Sequence, residues 1–121
     1  MVLDSNIVIG YLNGDANIIA SLQSLRQSNT VLFISSVTSI EALSLASLTP
    51  ENTEHIEAFL NGFIIVPVDM RIVPVAAALR RRHRLTVPDA AVVATAMVNN
   101  LPLATRDKKM LSVPGITFAQ I

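Results

Sequence analysis

Apolar and polar positions fall in blocks of two lengths along the chain. Short apolar runs stand at Met1–Leu3, Val31–Ile34, Ile64–Val66, Leu101–Thr105 and Ile116–Phe118. Serine, proline or glycine bounds several of them, as expected of brief buried strands. The fourth reads as a strand despite Pro102, and the fifth follows a Pro114–Gly115 turn. Between these runs, apolar residues recur at helical spacing. Ile18, Ile19, Leu22 and Leu25 form one stripe, and Ile40, Leu43 and Leu48 another. Ile56, Phe59 and Leu60 form a third, Ile72, Val75, Ala76 and Leu79 a fourth, and Ala90–Val98 is apolar almost throughout. Short strands alternating with helices predict one α/β domain over residues 1–121 with a mainly parallel sheet.

That topology has a geometric consequence. In a parallel sheet with crossover helices, the strands end at one edge and the following helices begin there. Residues just past a strand, or in the first turns of a helix, therefore face one crevice. Four acids meet this condition: Asp4 after the first strand, Glu41 early in the helix after the second, Asp89 after Pro88, and Asp107 after the fourth strand.

Composition narrows the chemistry. At 121 residues, 51% hydrophobic and only 15% charged, the chain can build a core without covalent staples. It has no cysteine, which removes disulfides, thiolate nucleophiles and cysteine–zinc clusters. No apolar run approaches the ~18 residues of a membrane span, and the first fourteen residues lack the basic start of an export signal. A cytoplasmic protein is the expectation. Nine Lys and Arg balance nine Asp and Glu. Taken alone, that balance argues against gripping nucleic acid by bulk charge.

Three of the four acids are isolated. Asp4 is the only charged residue before Asp15, Glu41 the only one between Arg26 and Glu51, and Asp89 the only one between Arg84 and Arg106. Each lies among residues expected to be buried: Leu3 and Ile7, Ile40 and Leu43, Ala90 and Val92. A carboxylate near a core is costly unless paired, hydrogen-bonded or metal-bound. Taken singly, each has a structural reading as a helix cap. Asp4 would cap through Asn6 and Ile7, Glu41 would complete a Thr38-x-x-Glu41 capping box, Asp89 would favour a helix dipole, and Asp107 would cap Lys108–Leu111. Caps need not share one edge, however, and no neighbouring cation in sequence neutralises Asp4, Glu41 or Asp89. Clustered carboxylates repel, and a hard divalent cation relieves that repulsion. The two histidines, His55 and His83, lack zinc-site spacing. Metal-assisted displacement at phosphorus is the chemistry this pattern suggests.

Leu3–Asp4–Ser5–Asn6, Glu41 after a Ser/Thr-rich helix start, Pro88–Asp89–Ala90–Ala91 and Ala104–Thr105–Arg106–Asp107 together resemble the motifs of PIN-domain ribonucleases. The likeness is closest to the toxins of VapBC-type toxin–antitoxin modules, and it spans nearly the whole chain in order. It implies a three-layer α/β/α fold with strand order 3-2-1-4-5. It also implies an endoribonuclease that uses one or two Mg²⁺ or Mn²⁺ ions and leaves a 5′-phosphate and a 3′-hydroxyl. Asp4, Glu41, Asp89 and Asp107 match the family's metal-site acids, and Ser5, Asn6 and Thr105 match its supporting polar residues. Many relatives carry Asn after Thr-Arg with an acid beyond; here Asp107 holds that place. Val92 and Val93 stand where some relatives have further acids.

The basic run Arg80–Arg81–Arg82–His83–Arg84 suits a helix C-terminus, and its members ring the helix rather than line one face. Arg84, Arg106, Lys108 and Lys109 are the candidates for RNA phosphate contacts. One Tyr, four Phe and no Trp make a base-stacking platform improbable. Met70, Met97 and Met110 read as core or interface residues. The Ile18–Leu25 and Ala42–Leu48 stripes suggest a homodimer and a groove for a protein antitoxin, though core burial explains them nearly as well. Two other readings compete. One is a catalytically silent scaffold of this fold. The other is a phosphoacceptor receiver domain, for which Asp69 follows the third strand but the paired acids after the first are missing.

Overall fold

The computed structural model describes residues 1–45 and 49–121. Five strands, β1 (Val2–Leu3), β2 (Phe33–Ser35), β3 (Ile64–Val66), β4 (Leu103–Ala104) and β5 (Phe118–Ala119), form one sheet in the order β3-β2-β1-β4-β5. Every pairing is parallel. The helices are α1 (Ser5–Leu12), α2 (Ala16–Gln27), α3 (Ser36–Leu43), α4 (Pro50–Leu60), α5 (Val73–His83), α6 (Val87–Val98) and α7 (Lys108–Leu111). The α/β class and the strand order agree with expectation.

The strands are short, and some shift from the apolar runs that announced them. Val31 is 53% exposed and outside the second strand, which pairs only from Phe33 onward, opposite Val2. Pro102 offers its carbonyl to the Val2 N–H at 2.8 Å but has no N–H to return, so β4 pairing begins at Leu103.

Two cores flank the sheet because successive strand residues point to opposite faces. Val2 and Leu103 enter the core with Leu79, Leu85, Val92 and Val93, built by α5 and α6. Leu3 and Ala104 enter the other with Ile7, Ile18, Leu22, Ile34, Ile56 and Leu60, built by α1, α2 and α4. A central strand buried on both faces reads as a continuous apolar run, and Val2–Leu3 is one. Ile18 and Leu22 are spent on this core, with Leu25 packed against it. Met110 is fully buried, whereas Met70 and Met97 are exposed. Leu48 lies outside the described residues.

Ile40 departs from its expected burial: it is 63% exposed, because α3 packs its Thr38 and Ala42 side inward. The two isoleucines Ile34 and Ile40 therefore make a direct comparison. Ile34→Ala removes a fully buried side chain and should cost about 2–5 kcal/mol. Ile40→Ala should change stability by no more than about 0.5 kcal/mol. Urea unfolding of the two variants beside the parent chain checks both values.

Candidate metal centre

Parallel topology brings the ends of β1, β2 and β4 to one edge, and there Asp4 and Thr105 each stand one residue past a strand. Asp4 is only 1% exposed. It is the N-cap residue of α1, yet its side chain makes no capping bond within the helix. The Thr105 hydroxyl instead donates to Asp4 Oδ2 at 2.8 Å. Burial pushes the Asp4 carboxyl above the ordinary carboxylate range; the hydrogen bond from Thr105 opposes the rise, and the charges of Asp89 and Asp107 add to it. Asp89 and Asp107 are thus each within electrostatic reach of Asp4.

Asp89 reaches this edge because α6 begins there. Thr86 caps that helix, its Oγ1 accepting the Asp89 N–H at 3.3 Å, and Pro88 fits the first turn. Asp89 is a first-turn acid as well as a candidate ligand. Asp107 also has both roles. Its Oδ1 accepts the Lys109 N–H at 2.9 Å to cap α7, and its own N–H donates to Thr105 Oγ1 at 3.0 Å. Thr105 therefore links Asp4 to the Asp107 turn.

Glu41 stands differently from the sequence expectation. Ser35, not Thr38, caps α3 by accepting the Val37 N–H, so no Thr38-x-x-Glu41 capping box forms. Glu41 lies in the second turn of α3, and its Oε1 is buried with no hydrogen-bond partner among the described residues. Such an orphaned oxygen is costly and calls for an unseen partner. Among the described residues, no three Asp, Glu or His side chains converge closely enough to hold an ion as they stand. The donors themselves fit a hard divalent cation: carboxylate oxygens at one edge, one deeply buried and one orphaned, with no sulfur among them.

The supporting residues divide. Ser5 is buried, and its hydroxyl pairs with Thr38 Oγ1 at 2.8 Å. Asn6 is exposed. Thr38, which the sequence suggested only as a cap, is fully buried; its one legible signal was its place three residues before Glu41. Among the basic candidates, Arg106 lies 3.8 Å from Asp15, Lys109 Nζ donates to the Arg84 carbonyl at 3.4 Å, and Lys108 is exposed. Arg84 takes a left-handed conformation (φ 54°) to end α5, and Arg80 Nε donates to the Leu85 carbonyl, which accords with the helix-terminus reading of this run. Asp69 is bound into its own turn by the backbone N–H and guanidinium of Arg71, which hold its carboxyl below the usual range.

The PIN domain family model matches residues 1–116. The chain belongs to the PIN-domain family. This PIN domain resembles a chain of a toxin–antitoxin complex from Klebsiella pneumoniae at 28% identity and TM-score 0.80, the match covering 99% of this chain and 98% of that one. It also resembles a chain of DNA-bound VapBC from Salmonella typhimurium (20% identity, TM-score 0.83, covering 98% and 96%). VapBC-1 from nontypeable Haemophilus influenzae shows a similar fold (21% identity, TM-score 0.78, covering 98% and 96%). A search of curated proteins finds no match.

Asp4 makes a pH prediction for the metal-free PIN domain. Its raised folded-state pKa means that the folded protein takes up a proton more readily than the unfolded chain. The associated stability is fully present below the ordinary value of 3.8 and is lost as pH rises through the raised value. At pH 7 the ionised group therefore destabilises the fold. Asp4→Asn is expected to raise Tm at pH 7 in EDTA, with the gain shrinking as pH falls toward 4. A variant that melts lower than the parent at pH 7 would contradict this account of the buried charge.

Proposed function

We propose that this PIN domain is a metal-dependent endoribonuclease, the toxin of a type II toxin–antitoxin pair, which hydrolyses RNA phosphodiesters by attack of water. The observation that carries the reading is Asp4. It is a carboxylate buried at the sheet edge, held by Thr105 and exposed to the charges of Asp89 and Asp107. Such a group is expensive as a structural element and useful as a cation ligand. PIN-domain toxins are generally nucleases, and PIN-domain nucleases typically use divalent metals. The antitoxin partner is carried over from the toxin–antitoxin complexes that this fold resembles.

Asp4, Glu41, Asp89 and Asp107 are the residues that would hold Mg²⁺ or Mn²⁺. A divalent cation held by them would supply Lewis acidity toward water and toward the charge on the phosphate. Thr105 fixes the Asp4 carboxylate by donating to Oδ2, and its oxygen accepts the Asp107 N–H, so one hydroxyl sets two acids. Ser5 and Asn6 follow Asp4 at the start of α1; the exposed Asn6 is the one free to orient ligands or water, while Ser5, its hydroxyl bound to Thr38, supports the site from within. Arg84, Arg106, Lys108 and Lys109 are the side chains proposed to meet RNA phosphates, for which the Arg106 and Lys109 contacts must open. No protein nucleophile is required. We further propose that the chain acts as a homodimer in the cytoplasm.

Incubation with single-stranded RNA tests the reading. Cleavage is expected with Mg²⁺ or Mn²⁺ and should stop in EDTA. Asp89→Asn should slow it by roughly a hundredfold or more. Cleavage that persists in EDTA, or at an undiminished rate in the variant, would overturn the metal mechanism. Millimolar Mn²⁺ should also raise Tm, because an ion that binds only the folded site stabilises it.

A further inference from the structure

Of the polar groups around the four acids, the buried hydroxyl pair between Ser5 and Thr38 is the one that the proposed chemistry does not use directly. It is the only side-chain hydrogen bond between α1 and α3 among the described residues. Both partners are withdrawn from water, Ser5 at 5% exposure and Thr38 at 0%. On one side, Ser5 directly follows Asp4 in the chain and opens α1. On the other, Thr38 precedes Glu41 by three residues in α3, a spacing that puts both on one face of the helix. The pair thus forms a buried polar bridge from the segment carrying Asp4 to the helix carrying Glu41. Glu41 itself has a buried oxygen, Oε1, with no hydrogen-bond partner among the described residues.

From this arrangement we infer that Thr38 is a positioning residue: through its hydroxyl contact with Ser5 it fixes the distance and orientation of α3 so that Glu41 faces the same centre as Asp4. The inference rests on the metal-site reading above. Apolar packing alone permits α3 to slide or rotate slightly against α1, since such contacts are non-directional. A hydrogen bond between two short buried side chains, closed at 2.8 Å, does not permit that freedom without leaving a hydroxyl unsatisfied. Thr38 touches neither substrate nor ion in this role. It sets where a ligand on its own helix can reach, as groups supporting metal ligands commonly do.

The experiment is Mn²⁺ titration of the folded chain without RNA, followed by electron paramagnetic resonance of the free ion. Thr38→Val, Thr38→Ser and the double variant Ser5→Ala/Thr38→Val are measured beside the parent chain, each with its Tm in EDTA. Thr38→Val should weaken Mn²⁺ binding about tenfold or more, and Thr38→Ser, which keeps the hydroxyl, should restore most of it. The double variant removes both polar partners and should recover Tm relative to Thr38→Val, yet still bind Mn²⁺ weakly. If Thr38→Val does not fold, the double variant carries the comparison. Parent-like Mn²⁺ affinity in Thr38→Val or in the double variant would overturn the positioning role while leaving the metal site intact. Absence of Mn²⁺ binding by the parent chain would instead overturn the metal-site reading, and the inference with it.

Discussion

The structure turns on one carboxylate removed from water. Asp4 follows the central strand β1, whose residues are buried on both faces, so it is delivered to the sheet edge with little solvent around it. Among the described residues its surroundings offer the Thr105 hydroxyl but no paired cation, and two more carboxylates raise the negative potential. A core optimised for stability alone would place an apolar or neutral polar residue there. The neighbouring features follow from this position. Thr105 lies beside Asp4 because β4 pairs with β1 in register, Leu3 opposite Ala104. Asp107 follows because the Thr105 hydroxyl also accepts its N–H.

Much of this was legible in the sequence. The alternation of short apolar runs and helical stripes predicted a parallel α/β sheet, and from that topology four acids were expected at one edge, of which Asp89 and Asp107 act electrostatically on Asp4. What escaped was local and depended on which of several polar residues wins a cap. Thr38 and Glu41 had the spacing of a capping box, but Ser35 stands at the end of β2 and starts the helix three residues earlier. That shift moved Glu41 to the second turn and put Ile40 in solvent. The hydroxyl pair Ser5–Thr38 spans 33 residues, and no local pattern announces a contact of that range. Asp107 shows the opposite case, since the cap that its sequence position suggested forms, its Oδ1 accepting the Lys109 N–H.

The charge balance takes on a different meaning with the site in place. Nine cations and nine acids looked neutral as a total. Setting aside Asp4, Glu41, Asp89 and Asp107 leaves nine cations facing five acids, a modestly basic remainder around an acidic centre. Some of that basic character is already engaged at the surface. Arg71 serves the Asp69 turn, Arg106 faces Asp15, and the Lys109 ammonium bridges to the Arg84 carbonyl. The Arg106 and Lys109 contacts are long and exposed, the kind that exchange readily for a phosphate.

The central claim is that the buried Asp4 is retained as a cation ligand rather than as a structural cap. Crystals of the chain grown or soaked with Mn²⁺ and measured for anomalous scattering test it most directly. The account predicts an anomalous peak at coordination distance from an Asp4 carboxylate oxygen, with Asp89 turned toward the same ion. A peak elsewhere on the surface, with the Asp4 side chain still held only by Thr105, would contradict it.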